Sequence, residues 1–136
     1  MVSELAAELL LTKPAKRLVY ATDLADTADN RARLQVLARH AHTLFLEASF
    51  VEADIQHAIA GGHLTGRACG EIAEAAGISR LVPFHLSRRY ADDPGELLEE
   101  IRAACDRVVL PGSRDLSPGA EDLGAIEKPV PDGLTL

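Results

Sequence analysis

Four short apolar runs, Leu18-Val19-Tyr20, Leu44-Phe45-Leu46, Leu81-Val82 and Val108-Val109-Leu110, are separated by longer stretches whose apolar residues recur at helical spacing. The runs are too short for helices and continuous rather than alternating, so each reads as a strand of a sheet covered on both faces. Strands alternating with helices make the chain α/β. Four such strands offer about 10 inward side chains per face, each worth ~1.5–3 kcal/mol of burial. A wet face would forgo roughly 15–30 kcal/mol as an upper bound. Both faces need cover, either from helices of this chain on both sides or from its helices on one side and another chain on the other.

Local signals place the elements between and around those runs. Leu5, Ala6 and Leu9 predict a short opening helix stopped by Pro14. The first strand takes Arg17 to Thr22, and Asp29 or Asn30 caps a helix from Arg31 to about Ala41. Thr43 to Glu47 is the second strand, followed by a helix from Val51 to Ala60 that ends at Gly61-Gly62. Thr65 caps a helix running to about Ala76 and closed by Gly77, with Ala68, Ile72, Ala73, Ala75 and Ala76 as a small-residue packing face. Arg80 to Phe84 is the third strand, with Pro83 marking an edge or a strand end. Asp93-Pro94 starts a helix with Pro at its first position, and Arg107 to Leu110 is the fourth strand, stopped by Pro111-Gly112. Residues 112–136 are rich in Pro, Gly and Asp and read as a loosely packed or disordered tail after a domain of residues 1–111.

The 136 residues fit one domain, and 47% hydrophobic with 26% charged content excludes a wholly disordered chain. The net charge of −7 argues against nonspecific nucleic-acid binding over the whole surface, although Arg88-Arg89 could hold one phosphate. The longest pure apolar stretches, such as Leu9 to Leu11, fall far short of a membrane span, and Glu4 and Glu8 stand where a signal peptide would be basic. A cytoplasmic location follows as the expectation. Cys69 and Cys105 form no paired motif and read as two buried thiols.

Chemistry-bearing residues collect at the strand ends and in one loop. Asp23 follows the first strand, Glu47 ends the second, His63 sits in Gly62-His63-Leu64-Thr65, and His85 follows the third. Each alone has a bland reading as a turn, a solvated strand end or a surface ring. Together they are metal-ligand or acid-base types, and parallel strands would bring their ends to one edge. Ser87 beside His85 lacks a G-x-S-x-G elbow, so a serine nucleophile is discounted.

The series Tyr20-Ala21-Thr22-Asp23, Glu47-Ala48-Ser49-Phe50, Gly62-His63-Leu64-Thr65 and His85-Leu86-Ser87-Arg88-Arg89-Tyr90 resembles the C-terminal half of the metallo-β-lactamase-fold hydrolases, most closely the ribonuclease Z-like branch. The resemblance covers about Leu18 to Pro111. It implies half of an αββα sandwich, one mixed sheet with helices mainly on one face, whose inner face needs a partner. It further implies that Asp23 bridges two metal ions, usually zinc, that His85 is a terminal ligand, and that Glu47 and His63 serve proton transfer and phosphate handling. Ser87, Arg89 and Tyr90 fall on the family's substrate-side motif, with Arg89 and Tyr90 as phosphate contacts. The chain departs from the pattern at Leu46, where ribonuclease Z has a His, and it contains no H-x-H-x-D-H motif, which belongs to the family's N-terminal half. His40-Ala41-His42 is followed by Thr43-Leu44 and reads as a helix end. The resemblance therefore implies a metal-dependent phosphodiester or related ester hydrolase, present as a C-terminal half that is inactive alone. A complementary N-terminal half or a second copy would cover its sheet, and RNA is a candidate substrate. The competing expectation is a self-contained α/β interaction module in which Asp23, Glu47, His63 and His85 are structural and do not converge.

Overall fold

The computed structural model describes residues 15–111 of the chain. The expected opening helix and the expected tail lie outside the described residues. In order, the elements are β1 (Leu18–Ala21), α1 (Ala28–Ala38), β2 (Thr43–Glu47), a 3-10 turn (Glu52–Asp54), α2 (Ile55–Gly61), α3 (Gly66–Ala76), β3 (Arg80–Phe84), a second 3-10 turn (Arg88–Tyr90) and α4 (Gly95–Ala104).

Among the described residues the sheet has three strands in the order β1-β2-β3. Both pairings are parallel, with Tyr20 beside Phe45 and Phe45 beside Val82. A mixed sheet was expected. Among the described residues each strand instead leads through a helical crossover to the next, a connection that returns the chain in the same direction.

The expected fourth strand shrinks to a single parallel bridge between Leu81 and Val108. Leu81 donates to Arg107 O and accepts from Val109 N–H, both at 2.8 Å. Two residues on, the same edge of β3 would need a donor from Pro83, which has none, so the ladder stops.

Several caps fall where local chemistry put them, and others do not. Thr65 Oγ1 accepts from Ala68 N–H at 3.2 Å to start α3, and left-handed Gly62 and Gly77 end α2 and α3. The first helix starts earlier than expected because Thr27, rather than Asp29 or Asn30, is its cap, accepting from Asn30 N–H at 3.1 Å. The Asn30 side chain turns back to Ala25 O at 2.9 Å. That helix also ends earlier, at Ala38, before the left-handed His40. Asp93 Oδ1 accepts from Gly95 N–H at 2.9 Å, which places Pro94 at the cap of α4 rather than at its first helical position.

Helices α1, α3 and α4 form one layer with α3 in the middle. Beneath them Val19, Leu44, Leu46 and Leu81 of the sheet are buried together with Leu34, Ile72, Ala73, Leu97 and Ile101. Helices α3 and α4 touch closely because Gly70 has no side chain there. A Cβ on Gly70 would lie 2.6 Å from Ala104 Cβ and 2.7 Å from Ile101 O. Both cysteines are free and buried, as expected.

Strand alternation sends Leu18, Tyr20, Phe45 and Phe84 to the face opposite this layer. Leu18 is 63% exposed and Tyr20 65%, and the Tyr20 and Phe84 rings sit 4.8 Å apart between centroids. The helices among the described residues thus leave that face of the sheet open at β1.

A candidate metal centre at the strand ends

Parallel pairing puts the carboxyl ends of all three strands on one edge, the usual location of functional groups in an α/β sheet. Asp23 lies just beyond β1, Glu47 is the last residue of β2, and His85 follows β3 directly. Asp23 and His85 take left-handed backbone conformations, with φ of 55° and 58°. Residues other than glycine rarely adopt these angles, and such angles cluster at functional sites. His63 arrives from the α2–α3 loop, where its N–H donates to Ala58 O at 2.9 Å. The loop is fastened to the segment that follows β2 by a parallel bridge between Phe50 and Thr65.

One potential ligand atom from each of Asp23, Glu47, His63 and His85 lies within 4.8 Å of every other. Glu47 is wholly buried and occupies the middle. Its Oε1 accepts from Leu24 N–H at 2.9 Å, and its Oε2 lies 2.9 Å from His63 Nδ1 and 3.1 Å from His85 Nδ1. The Ser49 hydroxyl is 3.1 Å from the same oxygen. Asp23 Oδ1 stands farther off, 3.9 Å from His63 Nδ1 and 4.0 Å from His85 Nε2. The two rings meet edge to face, with centroids 5.2 Å apart.

Burial pushes the Glu47 carboxyl up, but the Leu24 N–H and the His85 and His63 rings outweigh it and hold the group below its ordinary value. Glu47 is therefore ionised at neutral pH. An ionised carboxylate only accepts, so each imidazole presents Nδ1–H to it; in a neutral ring the lone pair then sits on Nε2. This is the arrangement in which a buried carboxylate orients histidines for metal ligation. The groups that remain for a metal beside this anchor, imidazole and the Asp23 carboxylate, suit a divalent transition metal.

The remaining candidates lie on the 3-10 turn after His85, and their bonds run elsewhere. Ser87 Oγ accepts from Arg89 N–H at 3.4 Å and so starts the turn. The Arg89 guanidinium lies 3.2 Å from His57 Nε2 and 3.6 Å from Asp54 Oδ1. The Tyr90 hydroxyl accepts from Val51 N–H at 3.2 Å and donates to Asp54 Oδ2. Burial and the Asp54 carboxylate push the Tyr90 phenol up. Arg89 and Tyr90 thereby brace the segment between β2 and α2. Asp54 and His57 carried no sequence signal for this role, whereas Ser49 stood inside the Glu47-Ala48-Ser49-Phe50 series.

His40 and His42 stand before the amino end of β2, the opposite edge of the sheet. His42 Nδ1 is 2.8 Å from Thr43 Oγ1, and neither ring joins the cluster.

No protein-family model matches the chain. It is 36% identical over 123 residues to a ribonuclease Z of Halorubrum lacusprofundi, covering 88% of this chain and 35% of that protein. A ribonuclease Z of Deinococcus radiodurans is 36% identical over 110 residues, covering 81% of this chain and 32% of that protein. The chain thus spans about a third of the length of the curated relatives it matches. Among solved structures, the metallo-β-lactamase-fold protein YhfI from Bacillus subtilis aligns with a TM-score of 0.57 at 22% identity, covering 68% of this chain and 35% of that one. The short form of human tRNase Z aligns with a TM-score of 0.52 at 22% identity, covering 71% and 30% respectively.

Proposed function

A chain that is ribonuclease Z-like and has the metallo-β-lactamase fold carries, we propose, the C-terminal share of a metal-dependent hydrolase site for phosphodiesters or related esters. The observation that carries this reading is the convergence of Asp23, Glu47, His63 and His85 within 4.8 Å. A self-contained module with four structural residues gives no reason for that convergence.

Asp23 and His85 would hold the metal, zinc by family likeness, with His63 close by. A catalytic zinc takes about three protein ligands and an open position, so a two-ion centre needs further ligands from an H-x-H-x-D-H segment. Bound zinc would supply Lewis acidity toward a phosphoryl oxygen and activation of water at neutral pH. Glu47 keeps both rings on their Nδ1–H tautomers, which leaves His63 Nε2 to take up and return a proton. Arg89, with its side chain 49% exposed, is the cationic contact for a substrate phosphate. Ser87 shapes the turn that presents Arg89, and Tyr90 braces it.

Residues 1–111 would form this half and residues 112–136 a tail. A complementary N-terminal half, or a second copy, would cover the face bearing Leu18 and Tyr20. RNA is the substrate class we favour. No helix among the described residues is long and apolar enough to cross a membrane, and two free buried thiols suit a reducing cytoplasm.

The test mixes the full chain and zinc with a separately expressed H-x-H-x-D-H segment of a ribonuclease Z relative and follows hydrolysis of bis-para-nitrophenyl phosphate. We expect no hydrolysis by either part alone, activity in the mixture, and its loss with Asp23→Ala or His85→Ala. An active mixture indifferent to both substitutions would overturn the reading, as would failure of the mixture to bind zinc.

A further inference from the structure

We propose that Ser49 is the positioning residue of this centre: its hydroxyl, donating to the carbonyl of His85, holds the left-handed turn that sets the His85 ring on Glu47. The metal part of this inference rests on the function proposed above, and the geometric part does not.

Ser49 is 3% exposed and tied on every side. Its N–H donates to Leu64 O at 3.0 Å, next to His63, and its carbonyl accepts from Ser87 N–H at 3.0 Å. Its Oγ lies 2.9 Å from His85 O, 3.1 Å from Glu47 Oε2 and 3.5 Å from His85 Nδ1. One residue therefore connects the end of β2 to both histidine-bearing loops.

The hydroxyl has one proton and two good acceptors. Glu47 Oε2 already takes two ring N–H groups, so the shorter contact, to His85 O, claims the proton. At φ 58° the His85 backbone has left the extended conformation of β3, and the bond from Ser49 compensates for that turn. Without the hydroxyl, both main-chain bonds of Ser49 persist, but the His85 carbonyl loses its donor. The backbone relaxes toward the extended region, and His85 Nδ1 leaves Glu47. Loss of such an outer partner typically weakens metal binding by about 10–100-fold.

The experiment uses the full chain as wild type, Ser49→Ala, Ser49→Thr and Ser49→Val. Nitrogen-15 NMR on the metal-free proteins reads the His85 ring tautomer, and cobalt(II) titration followed by visible absorption reads the site with metal. Wild type and Ser49→Thr should share the Nδ1–H tautomer and the cobalt spectrum. Ser49→Ala and Ser49→Val should show mixed tautomers and bind cobalt about 10–100-fold more weakly, with thermal melting close to that of wild type. If Ser49→Ala does not fold, the Thr and Val variants decide, because they differ only by hydroxyl against methyl. An unchanged tautomer in the variants lacking the hydroxyl overturns the role of Ser49, whatever cobalt does. If the wild type takes up no cobalt without the ligands of a complementary segment, the tautomer comparison alone decides the role of Ser49.

Discussion

Replacing Glu47 with Gln removes the charge at the middle of the cluster while nearly preserving shape. The side chain is wholly buried; it receives Leu24 N–H on one oxygen and the His63 and His85 rings on the other, which also lies 3.1 Å from the Ser49 hydroxyl. The amide keeps an acceptor for Leu24 but turns an NH2 group toward the two ring donors. One of the rings can switch tautomer and accept from that group; the other loses its partner. One or two hydrogen bonds to a charged group, each worth about 1.5–3 kcal/mol, are lost with partial recovery, so we expect a destabilisation of ~2–4 kcal/mol. Urea unfolding of both proteins at pH 7 with a chelator present measures it.

The pH dependence has a definite sign. The folded-state value of Glu47 lies below its ordinary 4.5, so its contribution is complete above the unfolded value and fades as pH falls through the folded one. The gap between wild type and Glu47→Gln should hold at neutral pH and close on acidification below about 4.5. A gap under about 0.5 kcal/mol at pH 7, within the range of ordinary surface substitutions, would refute the assignment of Glu47 as the anchor of both rings. So would a gap that stays constant on acidification.

Two further outcomes follow from the geometry. Leu18→Lys combined with Tyr20→Lys should lower self-association of the full chain in sedimentation velocity with little loss of thermal stability, because both side chains are already more than half exposed. A fall of many degrees in melting temperature would mean that this face is packed. Tyr90→Phe removes the acceptor for Val51 N–H and the donor to Asp54, and should cost about 1–2 kcal/mol in urea unfolding. Hydrogen exchange should rise at Val51 but not at Leu44 in β2, and equal protection at Val51 in both proteins would remove Tyr90 from its bracing role.

Much of this was legible in sequence where the deciding interaction is local. Thr65, Gly62 and Gly77 bound their helices because a cap acts over three or four positions and its chemistry is carried by the residue itself. The same rule misplaced the start of α1, where Thr27, Asp29 and Asn30 are all competent caps and only the path of the chain chose Thr27. The fourth strand failed for a related reason. Val108-Val109-Leu110 has strand character, but whether it pairs depends on which edge of β3 Pro83 faces.

By itself the sequence determined the alternation of strands and helices, the residue types at the strand ends, and through its motif series the likeness to a family. Tertiary structure decided what those residues do together. Glu47 meets His63 and His85 across 16 and 38 positions of chain, and parallel pairing brings them to one edge. Arg89 and Tyr90, four and five positions after His85 in sequence, turn instead toward Asp54. The physical reason is range: a cap or an apolar run is settled within one turn or one strand, whereas proton sharing on one buried carboxylate exists only after distant segments have been packed against each other.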